Sequence, residues 1–162
     1  MADISEFPDL YDGTGMGDVS IVLTPNGPAK KYVLAADVTA GQVVVFGSTD
    51  GEVTPATGAT TEVVAGVVTE DGEDGDEIVV YMAGNIAVLV NADDTTQIDQ
   101  GAWVITNDNA LKGTISAVST TASGTTATLY LNTVGYALED IAGDSFGKVL
   151  IMPVPITVAN AS

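Results

Sequence analysis

The sequence predicts an all-β domain of short strands, and three observations carry that prediction. Its apolar residues are mainly Val, Ile and Ala in short runs, and Val and Ile suit a pleated, half-buried surface. Those runs are cut at close intervals by clusters of Gly, Pro, Asn, Asp and Thr, the residues of turns. One unit also occurs twice, as VVAGVVTEDGEDGDEIVVYM at 63–82 and TVGYALEDIAGDSFGKVLIM at 133–152. In each, an apolar run leads through an acidic, glycine-bearing connector into a second apolar run. The connector cannot extend either strand, because its carboxylates need water and its glycines favour turns.

In chain order, residues 1–20 show no period of 2 or 3.6. Phe7, Leu10 and Tyr11 lie there among acids and glycines, so this stretch is read as an extended arm docked onto a partner. The β domain is expected over 21–156, with a tail at 157–162. Strands are expected at 21–23, 31–36 and 42–46, with a weaker one at 52–54. The doubled unit supplies 63–69 and 77–82. A hairpin-type break at 83–85 precedes 86–90, IAVLV, which is apolar throughout and so expected to be covered on both faces. Residues 102–106 carry the one Trp. Segments 114–119 and 126–131 flank TTASGT, read as a hairpin tip. Residues 136–141 could form one helical turn. Pro153 and Pro155 end the pairing, since Pro donates nothing to a ladder. The total is roughly ten to twelve strands at the spacing of a sandwich or barrel.

The repeat is wider than the opening unit. VTAGQVVVF at 38–46 matches IDQGAWVIT at 98–106 in pattern: an apolar residue, two mixed residues, Gly, then a strand. From Gly41 to Gly66 is 25 positions and from Gly101 to Gly135 is 34, so the second copy carries nine extra residues, assigned to 114–131. The expected architecture is a single compact barrel- or sandwich-like domain with pseudo-repeats over about 38–82 and 98–152.

Composition limits function. Of 162 residues, 22 are Asp or Glu and four are Lys, with no Arg, His or Cys, for a formal charge of −18. Without His or Cys the common nucleophilic triads, disulfides and the usual zinc ligands are excluded. No glycine-rich loop opens a helix to cradle phosphate. A nucleic-acid surface needs clustered cations to release counterions, and an anionic membrane selects for the same, so neither is an expected partner. No run of ~18 apolar residues is present to span a membrane. The N-terminus shows no secretory pattern, so synthesis in the host cytoplasm is expected. Such an acidic surface suits a saline setting, where charges are screened within a few Å.

Candidate site residues are few, and no enzyme or cofactor is expected. The acidic connector does not fit the EF-hand spacing. Asp71, Asp74 and Asp76 are weak candidates for a looser cation site, against the alternative of a solvated turn. Trp103, in an apolar strand, is read as a core or interface anchor. Phe7, Leu10 and Tyr11 in the arm are the other candidate partner contacts.

Residues 38–44, 65–67 and 134–151, in the order VTAGQVV, AGV and VGYALEDIAGDSFGKVLI, resemble the small decoration or cement proteins of tailed-phage capsids, including those of haloarchaeal tailed viruses. The resemblance covers about residues 30–155. It implies a β-barrel-like module on the outer capsid surface, bound to the major capsid protein and itself a homotrimer, which stabilises the shell by bridging capsid subunits. The competing reading is a head-fibre base or host-surface-binding module on the same virion.

Overall fold

A computed structural model describes residues 27–91, 95–107, 113–118 and 127–159. The N-terminal arm, with Phe7, Leu10, Tyr11 and the strand expected at 21–23, lies outside the described residues. Twelve strands and no helix are found among those described.

The first five strands are β1 (Ala29–Leu34), β2 (Val43–Phe46), β3 (Glu52–Pro55), β4 (Val64–Val68) and β5 (Glu77–Tyr81). They form a closed barrel in the order β1-β3-β2-β4-β5, so no strand is left as an open edge. Closure comes from β1, which pairs antiparallel with β5 and parallel with β3, matching Val33 to Glu52 and Leu34 to Val53.

The next strands are β6 (Ile86–Val90), β7 (Trp103–Thr106), β8 (Ile115–Ala117), β9 (Thr128–Tyr130), β10 (Thr133–Ala137), β11 (Phe146–Ile151) and β12 (Ile156–Val158). Five of them form a sheet in the order β6-β11-β10-β7-β8. A parallel bridge from Asn91 to Ile115 joins its two outer strands. This is the first barrel again. β6, β7, β8, β10 and β11 pair as β1, β2, β3, β4 and β5 do, and Asn91–Ile115 stands where Leu34–Val53 stands. The repeat thus extends to β1 and β6, beyond the stretches where the two sequences look alike.

The turns repeat to the level of single hydrogen bonds. Val38 and Gly72 exchange backbone bonds, as do Ile98 and Ile141. Gly41 N–H donates to Val68 O and Gly101 N–H to Ala137 O. Gly66 and Gly135 fill equivalent places in β4 and β10, and a Cβ at either would collide with a backbone carbonyl, that of Tyr81 or Leu150. Glycine is required at both by the close approach of the neighbouring strand.

One core fills the first barrel with Tyr32, Leu34, Val38, Val44, Val53, Ala65, Val68, Ile78 and Val80. The second core holds Leu89, Ile98, Val104, Ile115, Val134, Ala137, Ile141 and Val149, and continues onto Val43, Val45, Ala56, Val64 and Val67 of the first half. β4 is therefore buried at every position, with one face inside its own barrel and the other in the shared core. Where the first core has Gly72 and Ile78, the second has Ile141 and Gly147: the large side chain comes from the opposite strand.

Several expectations are corrected. Among the described residues, 114–118 and 127–131 do not pair with each other, and the TTASGT tip lies outside those described. β8 pairs with β7, and β9 pairs with β12. The C-terminal stretch read as a tail from 157 supplies Thr157 and Val158 to β12, because Pro153 and Pro155 lie in the connector, where no ladder bond is needed. Residues 83–85 do not close a hairpin. They link the halves, with Asn85, fully buried, donating to Pro28 O and Met82 O and Gly84 N–H donating to Ile151 O. The helical turn at 136–141 is absent, since β10 runs to Ala137 and then bends. β6 is buried at its three central positions, as an all-apolar strand requires.

Candidate functional interface

The acidic connector of the first half caps turns. Asp71 Oδ1 accepts the Ala40 N–H at 2.9 Å. Asp74 N–H donates to Asp37 Oδ1 at 2.9 Å, and Asp76 Oδ2 accepts the Glu73 N–H at 3.0 Å. The second half repeats the first of these bonds, with Asp140 Oδ1 accepting the Gln100 N–H at 2.8 Å. The three carboxylates considered for a cation thus lie in one exposed loop, but two of them are directed at backbone amides. Among the described residues no three acidic side chains are placed to hold a metal ion. Calorimetric unfolding with added Ca²⁺ and with chelator should therefore give the same transition. A rise with Ca²⁺ would show that the loop rearranges around a cation.

Cations are sparse. Lys31 Nζ pairs with Glu77 Oε1 at 2.9 Å across β1 and β5. The hydrogen bond and charge of Glu77 raise the Lys31 pKa above its ordinary value. A raised cation pKa adds stability that is present at neutral pH and is lost as pH climbs through the folded-state value. Both side chains are exposed, so salt screens the pair. Lys30 Nζ lies 4.9 Å from the Tyr32 ring centre, and Tyr32 meets Phe46 edge-on. These three, with residues 47–52, line a shallow cleft of about 330 Å³ at the β2–β3 loop.

Phe46 is itself exposed, and further exposed apolar side chains lie on the second half. Trp103 is 36% exposed and packs edge-to-face on Tyr136, with ring centres 5.7 Å apart. Of the two sequence readings for Trp103, core or interface anchor, the first is corrected: on β7 it points away from the barrel, while its neighbour Val104 points in. Leu129 and Phe146 are more exposed still. Tyr136, paired with Trp103 across β7 and β10, was not anticipated, although its place in the repeated unit, equivalent to that of Val67, was available as a signal.

A closed barrel and a five-stranded sheet of the same pairing order, both with capped turns, make up the scaffold. The chain belongs to the phage cement protein family, whose pattern it matches over residues 24–151, across both halves. That family places it on the virion, at the capsid. No curated protein matches the chain. Among solved structures it is similar to the N base of the head fibre gp8.5 of bacteriophage phi29, with 15% identity and a TM-score of 0.53 over 80% of this chain and 97% of that one. At that identity the likeness is one of fold.

Proposed function

We propose that the protein is a non-enzymatic cement that binds the outer face of an assembled icosahedral capsid as a homotrimer and stabilises it by bridging major capsid subunits. The observation that supports this reading is the family match, which runs over residues 24–151 and so takes in β1 to β11. Four lysines against 22 carboxylates leave no counterion-releasing patch for DNA, which fits an external position. Many copies, each adding a modest contact, would together resist internal pressure. The charge of −18 suits a virion in saline water, where repulsion between copies is screened. Residues 1–17, with Phe7, Leu10 and Tyr11, serve as the anchoring arm.

Matured capsids lacking the protein should bind it when it is added back, and gain resistance to heat and to low salt. Removing residues 1–17 should weaken that binding and leave the thermal transition of the free protein in place. Capsids that neither bind it nor gain resistance would refute cementing. The alternative is a head-fibre base, a role consistent with the fold shared with the phi29 protein. It predicts binding without added resistance, together with loss of a fibre from virions lacking the protein.

A further inference from the structure

The repeat gives the molecule two equivalent strand ends, and they differ in what covers them. By register, Lys30, Tyr32 and Phe46 of the first half stand where Ala87, Leu89 and Thr106 stand in the second. Ala87, Leu89 and Thr106 are each at most 1% exposed. Residues of the first half seal that end: Asn132 Nδ2 donates to both Thr106 O and Gly58 O, and Gly113 N–H donates to Ala56 O. The corresponding end of the first barrel is instead the cleft of about 330 Å³ lined by Lys30, Tyr32, Phe46 and residues 47–52. Mouths of β-barrels are recurrent ligand sites.

Tyr32 is the buried side of this cleft and Phe46, 44% exposed, its open side. The loop satisfies its own backbone. Gly47 N–H donates to Glu52 O, Glu52 N–H to Thr49 O, and Gly51 O accepts the Val33 N–H at 3.0 Å. What meets a ligand is therefore side chain: the Phe46 ring, the Asp50 and Glu52 carboxylates and the Lys30 ammonium. Lys30 Nζ already lies 4.9 Å from the Tyr32 ring centre, so the chain itself supplies the cation for that ring. An anionic ligand meets two carboxylates here and −18 overall. A peptide finds no free strand edge, because the barrel is closed. A neutral, hydroxyl-rich ligand suits every group present. Carboxylates accept hydroxyls in charge-assisted bonds, and the ammonium donates to ring or glycosidic oxygens. The weakly positive C–H face of a sugar ring lies well on the negative face of an aromatic.

We propose that the mouth of the first barrel binds a neutral saccharide, with Phe46 as the platform and Asp50, Glu52 and Lys30 as the hydrogen-bonding groups. This activity goes beyond cementing and does not rest on it. Because the ligand carries no charge, its binding is nearly independent of salt, unlike a contact steered by charge. A single shallow cleft binds weakly, but many copies arrayed on one particle hold a glycan-coated surface far more tightly than one copy does.

Amide NMR spectra of the isotope-labelled full chain test this directly, with chitotriose and maltotriose as neutral probes and trigalacturonate as the acidic control. A neutral probe should shift the amides of residues 46–52 with a dissociation constant on the order of 1 mM. The constant should be the same in about 0.1 M and about 1 M salt, and trigalacturonate should leave these amides in place. Phe46→Ala should weaken binding about five- to tenfold, and Phe46→Tyr should restore it. Asp50→Ala, at an exposed position, should weaken it about tenfold with the thermal transition unchanged. No shift at 46–52 from either neutral probe at about 50 mM, a response to trigalacturonate alone, or undiminished affinity in the folded variants would each overturn the proposal. Loss of capsid binding by Asp50→Ala, with no response to sugar in the wild type, would also overturn it, by assigning the mouth to the shell. Cementing is tested separately by adding the protein back to capsids, so either reading can fail without the other.

Discussion

Gly147→Ile is expected to destabilise the protein strongly on its own, and adding Ile141→Gly is expected to recover most of the loss. A Cβ at Gly147 would collide with the Ile141 side chain, which is fully buried. Overpacking of this kind costs about 1–3 kcal/mol or more, because the surrounding core is already dense. Ile141→Gly alone opens a cavity worth about 2–5 kcal/mol and adds backbone entropy worth up to ~1 kcal/mol. The first barrel already shows the double variant as a working solution: Gly72 leaves the space that Leu34 and Ile78 occupy. Chemical denaturation of the four proteins of the cycle should give each single variant a loss of about 3 kcal/mol or more. The double variant should lie within about 2 kcal/mol of the wild type, a coupling of about 4 kcal/mol or more, above the ~0.5–3 kcal/mol usual between touching residues. Additive losses would mean that the two sites do not share one volume.

Asn132→Asp should be the most damaging single-atom-group change at the junction of the halves. Asn132 is fully buried and donates through Nδ2 to Gly58 O, Thr106 O and Thr106 Oγ1, at 3.0–3.3 Å. Gly58 belongs to the first half and Thr106 to the second, so this amide ties them together. Its own Oδ1 has no partner among the described residues. A carboxylate there would lose its donors and face acceptors in a site without water's dielectric. The cost is expected to be on the order of 3 kcal/mol or more. Burial would raise the new carboxyl's pKa, and a raised acid pKa makes the folded state relatively more stable as pH falls through it. Thermal melts of Asn132→Asp should therefore recover in part toward acid pH relative to the wild type. A pH-independent loss would show that the ionised form is not the source of the damage.

Most of the fold was legible where local chemistry decides it. The Val- and Ile-rich runs became β2, β4, β5, β6, β7 and β11, and the Gly-Glu-Asp spacing of 135–140 announced that β10 would end as β4 does. Asp71 and Asp140 were visible as equivalent acids, but only the structure shows that both accept an amide from the turn after Val38 or Ile98. What stayed hidden depends on partners distant in sequence. β1 and β6 are equivalent by register, yet AKKYVL and IAVLV share no pattern, because one is exposed at its start and the other is buried at its centre. The β9–β12 pair joins segments separated by the whole of β10 and β11, and nothing local in TLY or ITV names the other. Trp103 was legible only as a core or interface anchor, because its strand is apolar. Its exposure follows from which face of β7 it occupies, a matter of register.

The doubly buried β4 strand also has a consequence in time. During synthesis the first barrel emerges before β6–β11 exist, with Val43, Val45, Val64 and Val67 still bare. At about 5–20 residues per second, the second half follows over roughly several seconds. For that interval a nascent chain carries a sticky valine face, and neighbouring chains on one messenger present the same face to one another. The dense carboxylate coat, which repels one unfinished copy from the next, is then a safeguard during translation as much as a feature of the finished particle.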